Sequence, residues 1–403
     1  MFKSFSPKLN PSNWTADLRL SVIYKSVCIC FLIGIFITFP LWHHDRLFPM
    51  IPFHPALSDF GAGVHYFLLG LLLLITIANI IWKKSSLAIA LISIMILLVL
   101  LDQMRLQPWV YIYFLMFIPF IWYFRVKDKK DKSSSLQVLN YIRILLIGTY
   151  AWSGLHKFSI EFIENVYPSM MMGLFKVPQD SKLLEMKELG YGMAILELLI
   201  GLGLIFPSTR RWSVLLAILT HLLIIAWVSP LGGNTNYAIL PWNVSMMVLI
   251  IFSAYKTKES TVILPAGQKS LKWSTPLLIL FIWIMPALNI KDKWDAYLSF
   301  NLYTERISHM FVALRQQAID ELDPQHMEYL AFENLIDEGK VIDIERWSFE
   351  EMNVPVYPSH KVHCAIGRYF CSKVSNEQNL MLVTYRKPFI DGNYKIFNCK
   401  DCL

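Results

Sequence analysis

Long apolar runs separated by short polar segments make up about three quarters of the chain, starting from its N-terminus. A helix needs about 20 mostly apolar residues to cross the hydrocarbon core of a bilayer. By that measure the pattern predicts about nine transmembrane helices. They cover residues 21–40, 64–82, 86–101, 107–125, 138–157, 189–207, 211–231, 240–256 and 274–290.

The loops between these runs differ in positive charge. Lysine and arginine are concentrated in the N-terminal arm and in alternate loops, at 83–84, 125–132, 210–211 and 256–272, and the opposite short loops carry far fewer. Cytoplasmic loops carry an excess of these residues. The charge pattern therefore predicts a cytoplasmic N-terminus, and nine crossings then leave the C-terminus outside.

The predicted organisation has three parts. Residues 1–20 form a cytoplasmic arm, residues 21–290 form the membrane bundle, and residues 291–403 form a small extracytoplasmic α+β domain. The first apolar run is too long for the core of a signal peptide and lacks a small-x-small cleavage site, so we expect it to be retained. The predicted fold class is thus an all-α polytopic membrane bundle with a small α+β C-terminal domain. The predicted location of the protein is a cell inner membrane or an ER-type membrane.

Composition agrees with a multi-pass membrane protein surrounded by lipid. The chain is 55% hydrophobic and 17% charged, with a mean hydropathy of +0.44. These values are typical of a polytopic membrane protein and not of a large soluble domain. The net charge of +7 comes mainly from the cytoplasmic loops, so it indicates no nucleic-acid partner.

The C-terminal domain alternates between strand-like and helix-like patterns. Residues 306–314 and 380–385 are predicted to be strands, and residues 345–352 and 359–371 are predicted to be helices. In the outer loop that precedes the sixth span, residues 158–188, apolar side chains predict a helix that lies in the membrane interface.

Four cysteines lie in the predicted external domain, and they are Cys364, Cys371, Cys399 and Cys402. An even number of cysteines in an oxidising compartment predicts two disulfides, with three possible pairings that the sequence does not decide. A second reading is a redox pair formed by Cys399 and Cys402. A zinc site with His360 or His363 is the weaker hypothesis, since the cysteine spacing is unusual for zinc. We predict no metal site.

Lys157 is the most unusual polar residue, because it lies with His156 at the outer end of an apolar helix. Burial disfavours an ammonium ion, so a buried lysine can become a neutral amine that acts as a base. The alternative is a lysine that extends to the lipid headgroups. Glu197 and His221 lie about 12 and about 15 Å below the outer surface at 1.5 Å of rise per residue. Their similar depth predicts a hydrogen bond between them, in a structural or a catalytic role.

Three segments within residues 20–290 resemble the vitamin K-dependent gamma-carboxylase superfamily, also called the horizontally transferred transmembrane domain family. The run from Tyr150 to Phe158 is similar to the family's aromatic-x-x-Ala-Gly-x-x-Lys-Leu motif. The stretch from Asp102 to Tyr113 is similar to its Asp-x-x-x-Trp-Asn-Asn-His-x-Tyr-x-Tyr stretch. The segment from Glu197 through His221 to Asn243 is similar to its acidic helix, Phe-His helix and Phe-Pro turn.

The resemblance implies an enzyme whose base, Lys157, deprotonates reduced vitamin K or another isoprenoid quinol. Oxygen then adds, and the strong base that forms removes a glutamate γ-proton from an extracytoplasmic protein or peptide, to which carbon dioxide adds. His156, Glu197 and His221 would orient the lysine or relay protons. The implied cofactor contacts are Asp102, Arg105, Trp109, Tyr113, Trp242 and Asn243.

Two features differ from the family pattern. Trp109 stands at or near the position of the histidine that contacts the quinone, and residues 291–403 are far fewer than the region that binds substrate propeptides. Two other functions fit the sequence. One is a membrane redox component that exchanges electrons between quinones and thiols, and the other is a non-catalytic scaffold. No P-loop, dinucleotide fingerprint or nucleophile elbow is present.

Overall fold

The structure is a computed structural model that describes part of the chain. The described residues are 11–126, 132–233, 236–257, 274–331, 339–387 and 393–402. Parts of the positively charged loops at 127–131 and 258–273, and the first ten residues of the arm, lie outside this range.

Each of the nine predicted apolar segments is helical over most of its length. The helices of this bundle are α1 (Ala16–Ile37), α3 (Ala62–Ile81), α4 (Ser85–Leu101), α5 (Pro108–Val126), α6 (Lys132–His156), α9 (Glu188–Gly203), α10 (Pro207–Trp227), α11 (Leu240–Ala254), and finally α12 (Ser274–Ile279) with α13 (Met285–Asn289), which a π-helical turn joins. A short helix, α2 (Phe39–Trp42), follows α1.

Five helical segments in the described part of the chain are long and apolar enough to cross a membrane. They are Ala16–Ile37, Ala62–Ile81, Pro108–Val126, Pro207–Trp227 and Tyr237–Ala254. Two more, Ser85–Leu101 and Pro276–Asn289, are apolar but shorter. Their outward-facing surfaces are rich in exposed leucine, isoleucine and phenylalanine. A helical protein with this surface is an integral membrane protein, because such apolar faces are stable in lipid and not in water.

Helices α6 and α9 approach each other closely through small residues. A Cβ atom on Gly154 would lie 2.8 Å from the backbone oxygen of Ala194 and 2.8 Å from the backbone nitrogen of Leu198. One on Gly201 would lie 3.1 Å from the backbone nitrogen of Ala151. Small residues allow such close packing of membrane helices. We use "outer end" for the end of the bundle that contacts the C-terminal domain, and this contact brings the outer end of α6 against the middle of α9.

The outer segment between α6 and α9 is partly helical, as the sequence predicts. A π-helical turn (Phe162–Val166) leads into α7 (Tyr167–Phe175), and α8 (Lys182–Glu185) follows. One face of this segment is buried with Trp227 and Val228 from the end of α10. The segment therefore covers the outer end of the bundle beside Lys157.

The C-terminal domain contains an antiparallel five-stranded sheet in the order β2-β3-β1-β4-β5. Its strands are β1 (His309–Arg315), β2 (Leu330–Ala331), β3 (Gly339–Asp343), β4 (Leu380–Tyr385) and β5 (Tyr394–Phe397). Its helices are α14 (Gln316–Asp320), α15 (Ile344–Met352) and α16 (His360–Cys371). The two predicted strands and two predicted helices are present, within a few residues. The strands β2, β3 and β5 were not predicted, because each is short.

The domain is attached to the bundle by buried and polar contacts. The Glu351 carboxylate accepts hydrogen bonds from the backbone N–H groups of Leu47 and Phe48, and the Trp347 ring packs on the Phe48 ring. The Gln107 amide donates to the backbone oxygen of Pro355 at 3.0 Å. These contacts fix the domain over the outer end of the bundle, where the polar residues collect.

Candidate functional site

Lys157 directly follows the last residue of α6, and its side chain is only 4% exposed. The Nζ atom donates to Glu197 Oε2 at 2.9 Å, to Ser153 Oγ at 2.8 Å and to the backbone oxygen of Leu302 at 2.9 Å. Lys157 therefore does not extend into solvent, as a lysine that reaches the headgroups would. It is an interior group held by α6, by α9 and by the segment that leads into the C-terminal domain.

The hydrogen bonds of Lys157 match those of an ammonium ion. An ammonium has three N–H donors and no acceptor, and three close oxygen acceptors surround Nζ. The Glu197 carboxylate balances its charge, which reduces the cost of burying both groups. The geometry is thus that of a matched ion pair, and the neutral amine expected from the sequence stays a prediction.

An apolar cavity of about 180 Å³ adjoins the lysine. The residues around it include Lys157, Phe162, Met193, Glu197, Trp227 and Tyr303. The Lys157 nitrogen lies 5.8 Å from the centre of the Phe162 ring. A cavity of about 150 Å³ with apolar walls accepts a benzene ring and excludes water. This cavity therefore has room for one aromatic ring beside the ion pair.

A smaller, more polar cavity of about 30 Å³ lies on the other side of Glu197. Its walls include Tyr150, Ser153, Glu197, His221, Asn243 and Tyr303. The His221 Nε2 atom lies 2.6 Å from the Tyr150 hydroxyl, and its Nδ1 atom lies 2.7 Å from Asn243 Oδ1. A hydrogen-bonded row of buried side chains therefore ends close to Glu197.

The predicted hydrogen bond between Glu197 and His221 is replaced by other pairs. The two residues share the wall of the polar cavity, but Glu197 bonds Lys157. The prediction rested only on the similar depth of the two residues along their helices. Depth does not give the direction in which each side chain leaves its helix. The close contact at Gly154 brings this part of α9 against α6, and α10 presents His221 to Tyr150.

Tyr303 is a site residue that sequence reasoning missed. It lines the apolar cavity, the polar cavity and a third cavity near the C-terminal domain. Its φ angle of 54° is left-handed, which is uncommon for a residue other than glycine. Burial raises the pKa of its phenol, which also forms a hydrogen bond with Asn243. No motif marks this position, so the sequence offered no signal for it.

His156 lies beside Lys157 in sequence but does not share its cavities. The imidazole is buried and packs against the Trp152 ring, with 5.9 Å between ring centres. It is not among the described residues that line the apolar or the polar cavity. The structure brings Lys157, Glu197, His221 and Asn243 together and leaves His156 on another face of α6.

Asp102 and Arg105 lie in a separate buried cluster. Arg46 Nη2 contacts Asp102 Oδ2 at 2.6 Å, and Arg105 Nε lies 3.7 Å from the same oxygen. Arg105 also donates to three backbone oxygens, those of Leu41, Trp42 and Leu98. None of these three charged residues is among the described residues that line the three cavities. The cluster joins the outer loops of the bundle.

Trp109, Tyr113 and Trp242 form an aromatic group in the outer half of the bundle. The Tyr113 ring lies edge-on to the Trp242 ring, 5.5 Å between centres, and 6.1 Å from the Trp109 ring. Trp109 and Trp242 line the third cavity, of about 140 Å³, and Glu305 and Glu345 lie across it on the C-terminal domain. We call this cavity the vestibule. Trp242 also lines the polar cavity.

The four cysteines of the C-terminal domain form two disulfides, as predicted, with Cys364 joined to Cys402 and Cys371 joined to Cys399. Residues seven apart lie on one face of an α-helix, and residues three apart align in a 3₁₀ turn. Hence Cys399 and Cys402 both face α16 and do not bond each other. Among the described residues, no group of histidine, cysteine and acidic side chains could hold a metal ion.

Comparison with known proteins does not assign the chain to a family. No protein-family model, no curated protein and no solved structure matches the chain. The site is therefore interpreted from its own geometry and from the sequence resemblance described above.

Proposed function

We propose that the chain crosses the membrane nine times, with a cytoplasmic N-terminus and an external C-terminal domain. Nine apolar segments are helical, and the positive loops alternate as the positive-inside rule requires. The two disulfides of the C-terminal domain are typical of an oxidising compartment. In this orientation the Lys157 site opens on the outer side of an inner or ER-type membrane.

We further propose that the protein carries out proton-transfer chemistry on an isoprenoid quinol, with Lys157 as base. One observation carries this proposal: a buried lysine–glutamate pair, with 2.9 Å between Nζ and Oε2, closes the end of an apolar cavity. An ion pair that only holds helices together needs no cavity beside it. Ionisable groups within membrane bundles mark proton or substrate sites by default.

The residues around the apolar cavity fit the aromatic head group of a quinol and part of its polyprenyl tail. The apolar cavity accepts one aromatic ring beside Lys157, and Phe175, Met171 and Leu174 form its outer rim. Phe175 is exposed, so in a membrane this rim faces lipid. A polyprenyl tail would leave between α7 and α10 and lie among the acyl chains.

The chain's own groups can move a proton without separating charge. Transfer from Lys157 Nζ to Glu197 Oε2 turns the ion pair into a neutral pair, which an apolar site tolerates better than charges. Nζ then has a lone pair at the end of the cavity and can accept one proton there. The hydrogen-bonded side chains Tyr150, His221 and Asn243 share the polar cavity with Glu197. A bound quinol would supply the acidic hydroxyl and the electrons.

The resemblance also implies a carboxylation step, and this step has less support from the structure. Carboxylation of an extracytoplasmic protein or peptide would need a substrate-binding region, and the C-terminal domain is small. The thiol-redox alternative is not favoured by the structure, because Cys399 and Cys402 are buried and each is bonded to α16. Deprotonation of a quinol and its oxidation to the quinone, with molecular oxygen taking up the two electrons and two protons, is therefore the function that we propose.

The test uses full-length protein in nanodiscs loaded with vitamin K hydroquinone under anaerobic conditions. After addition of air, oxidation is followed by quinone absorbance against empty nanodiscs. Lys157→Met should lower the catalysed rate by a factor on the order of 10² to 10⁴, the usual contribution of a general base. Lys182→Met, which removes an exposed lysine from the same outer segment, should leave the rate unchanged.

A double variant separates loss of activity from loss of fold. Lys157→Met with Glu197→Gln removes both buried charges, so it should be as stable as the wild type and still inactive. Oxidation at the wild-type rate by Lys157→Met, or no oxidation above empty nanodiscs by the wild type, would overturn the proposal.

A further inference from the structure

The vestibule lies between the outer ends of α5 and α11 and the C-terminal domain, and it is separate from the lysine site. Leu302 and Tyr303 stand between it and the polar cavity, since both residues line both spaces. Its volume of about 140 Å³ is close to that of an engineered cavity that holds one small organic molecule.

The charges around the vestibule are of one sign. Glu305 and Glu345 line it, and no lysine, arginine or histidine is among the described residues of its wall. Glu305 has outside partners, because Lys387 Nζ lies 3.0 Å and His309 Nε2 lies 3.1 Å from its Oε2 atom. Glu345 has only the backbone N–H of Val356, at 3.2 Å, and forms no ion pair in the described part of the chain. A half-buried carboxylate that lines a cavity without a counter-ion favours a cation.

The rest of the wall is aromatic. The rings of Trp109, Trp242, Tyr297, Tyr303 and Phe349 surround the space. Aromatic faces attract cations, and cages of such rings are the usual way in which proteins recognise alkylated ammonium groups. A metal ion would need several oxygen ligands, and the structure offers no such cluster among its described residues. An organic cation fits both the single carboxylate and the rings.

We propose that the vestibule binds a small organic ammonium group, with the Glu345 carboxylate as counter-ion and the aromatic rings as cation–π partners. The group belongs either to a lipid headgroup, such as choline or ethanolamine, or to a free amine outside the membrane. The site is independent of quinol chemistry, so it stands whether or not Lys157 acts as a base.

The charge of Glu345 makes binding depend on pH. The pKa of Glu345 is raised to about 7, chiefly by burial. This value already includes the lowering by His309 and by the Val356 N–H and the raising by Glu305 and Asp343. A carboxyl group with this pKa is about 9% ionised at pH 6 and about 91% ionised at pH 8. Ammonium binding should therefore strengthen about tenfold from pH 6 to pH 8.

The experiment measures choline binding to the full-length protein in phosphatidylglycerol nanodiscs by calorimetry. The comparison ligand is 3,3-dimethylbutan-1-ol, which has the shape of choline and no charge. Choline should bind saturably and at least tenfold more tightly than the alcohol, and Glu345→Gln should weaken choline binding at least tenfold. Glu350→Gln, an exposed position on the same helix, should bind choline as the wild type does.

A second arm identifies the source of the ammonium group. If the ligand is a lipid headgroup, phosphatidylcholine nanodiscs abolish choline binding and the lipid is retained in native mass spectra. If it is a free amine, choline binds equally in both kinds of nanodisc. Equal binding of choline and the alcohol, wild-type affinity in Glu345→Gln, or affinity that does not change from pH 6 to pH 8 would overturn the proposal.

Discussion

Two buried groups of charges in the outer half of this protein have different surroundings. Arg46, Asp102 and Arg105 are bonded to each other and to backbone oxygens, and they line no cavity among those described here. Lys157 and Glu197 are equally well bonded, but one apolar cavity adjoins both, and Glu197 faces a second, polar cavity. The first group lines none of the three cavities, and the second adjoins two of them.

The comparison shows that burial of charge does not by itself mark a functional site. Both groups were candidates in the sequence, because polar residues in or beside apolar helices are expensive. Only the space next to a charge decides whether another molecule can reach it. Replacing Asp102 with a neutral residue should therefore mainly lower the stability of the fold. Replacing Lys157 should mainly lower the catalytic activity.

The largest expected effect on stability is that of Asp102→Asn. The change leaves Arg46 and Arg105 buried without a counter-ion, and loss of one partner from a buried ion pair costs about 3–5 kcal/mol. We expect a large fall in the free energy of unfolding, measured by denaturant titration in detergent micelles. Asp59→Asn, an exposed position in the segment between α2 and α3 that also carries Arg46, should change it by less than about 0.5 kcal/mol. Equal stability of Asp102→Asn and the wild type would remove the structural role of this cluster.

At the lysine site we expect a smaller loss of stability, most of which a second substitution recovers. Lys157→Met alone leaves the Glu197 carboxylate unpaired and should destabilise the protein by about 3 kcal/mol. Adding Glu197→Gln should recover most of this loss, because replacing both charges of a buried pair is often neutral. The same denaturant titration, read as a double-mutant cycle, measures the coupling. Additive losses would show that the two side chains do not depend on each other.

The sequence predicted the helices of the bundle well, because each lies in a long apolar run. Its errors lie where a helix continues beyond its apolar run. Helix α1 begins at Ala16, after the Thr15 N-cap, and α6 begins at Lys132, with Ser134 and Ser135 buried. Hydropathy marks the apolar run of such a helix and not its polar first turn.

The site was predicted only in part. The sequence identified Lys157, Glu197, His221 and Asn243 as candidates, and the structure places them around two adjoining cavities. It did not predict that Leu302 and Tyr303 complete the site, because they lie in an irregular segment of the C-terminal domain. Their role depends on tertiary placement, which no local pattern encodes.

A density map of the full-length protein in nanodiscs, with vitamin K hydroquinone bound under anaerobic conditions, tests the central claim most directly. The account predicts a ring in the apolar cavity within hydrogen-bonding distance of Lys157 Nζ, with its tail leaving between α7 and α10. A map in which that cavity is filled by protein side chains, or in which Lys157 Nζ faces bulk solvent, would contradict it.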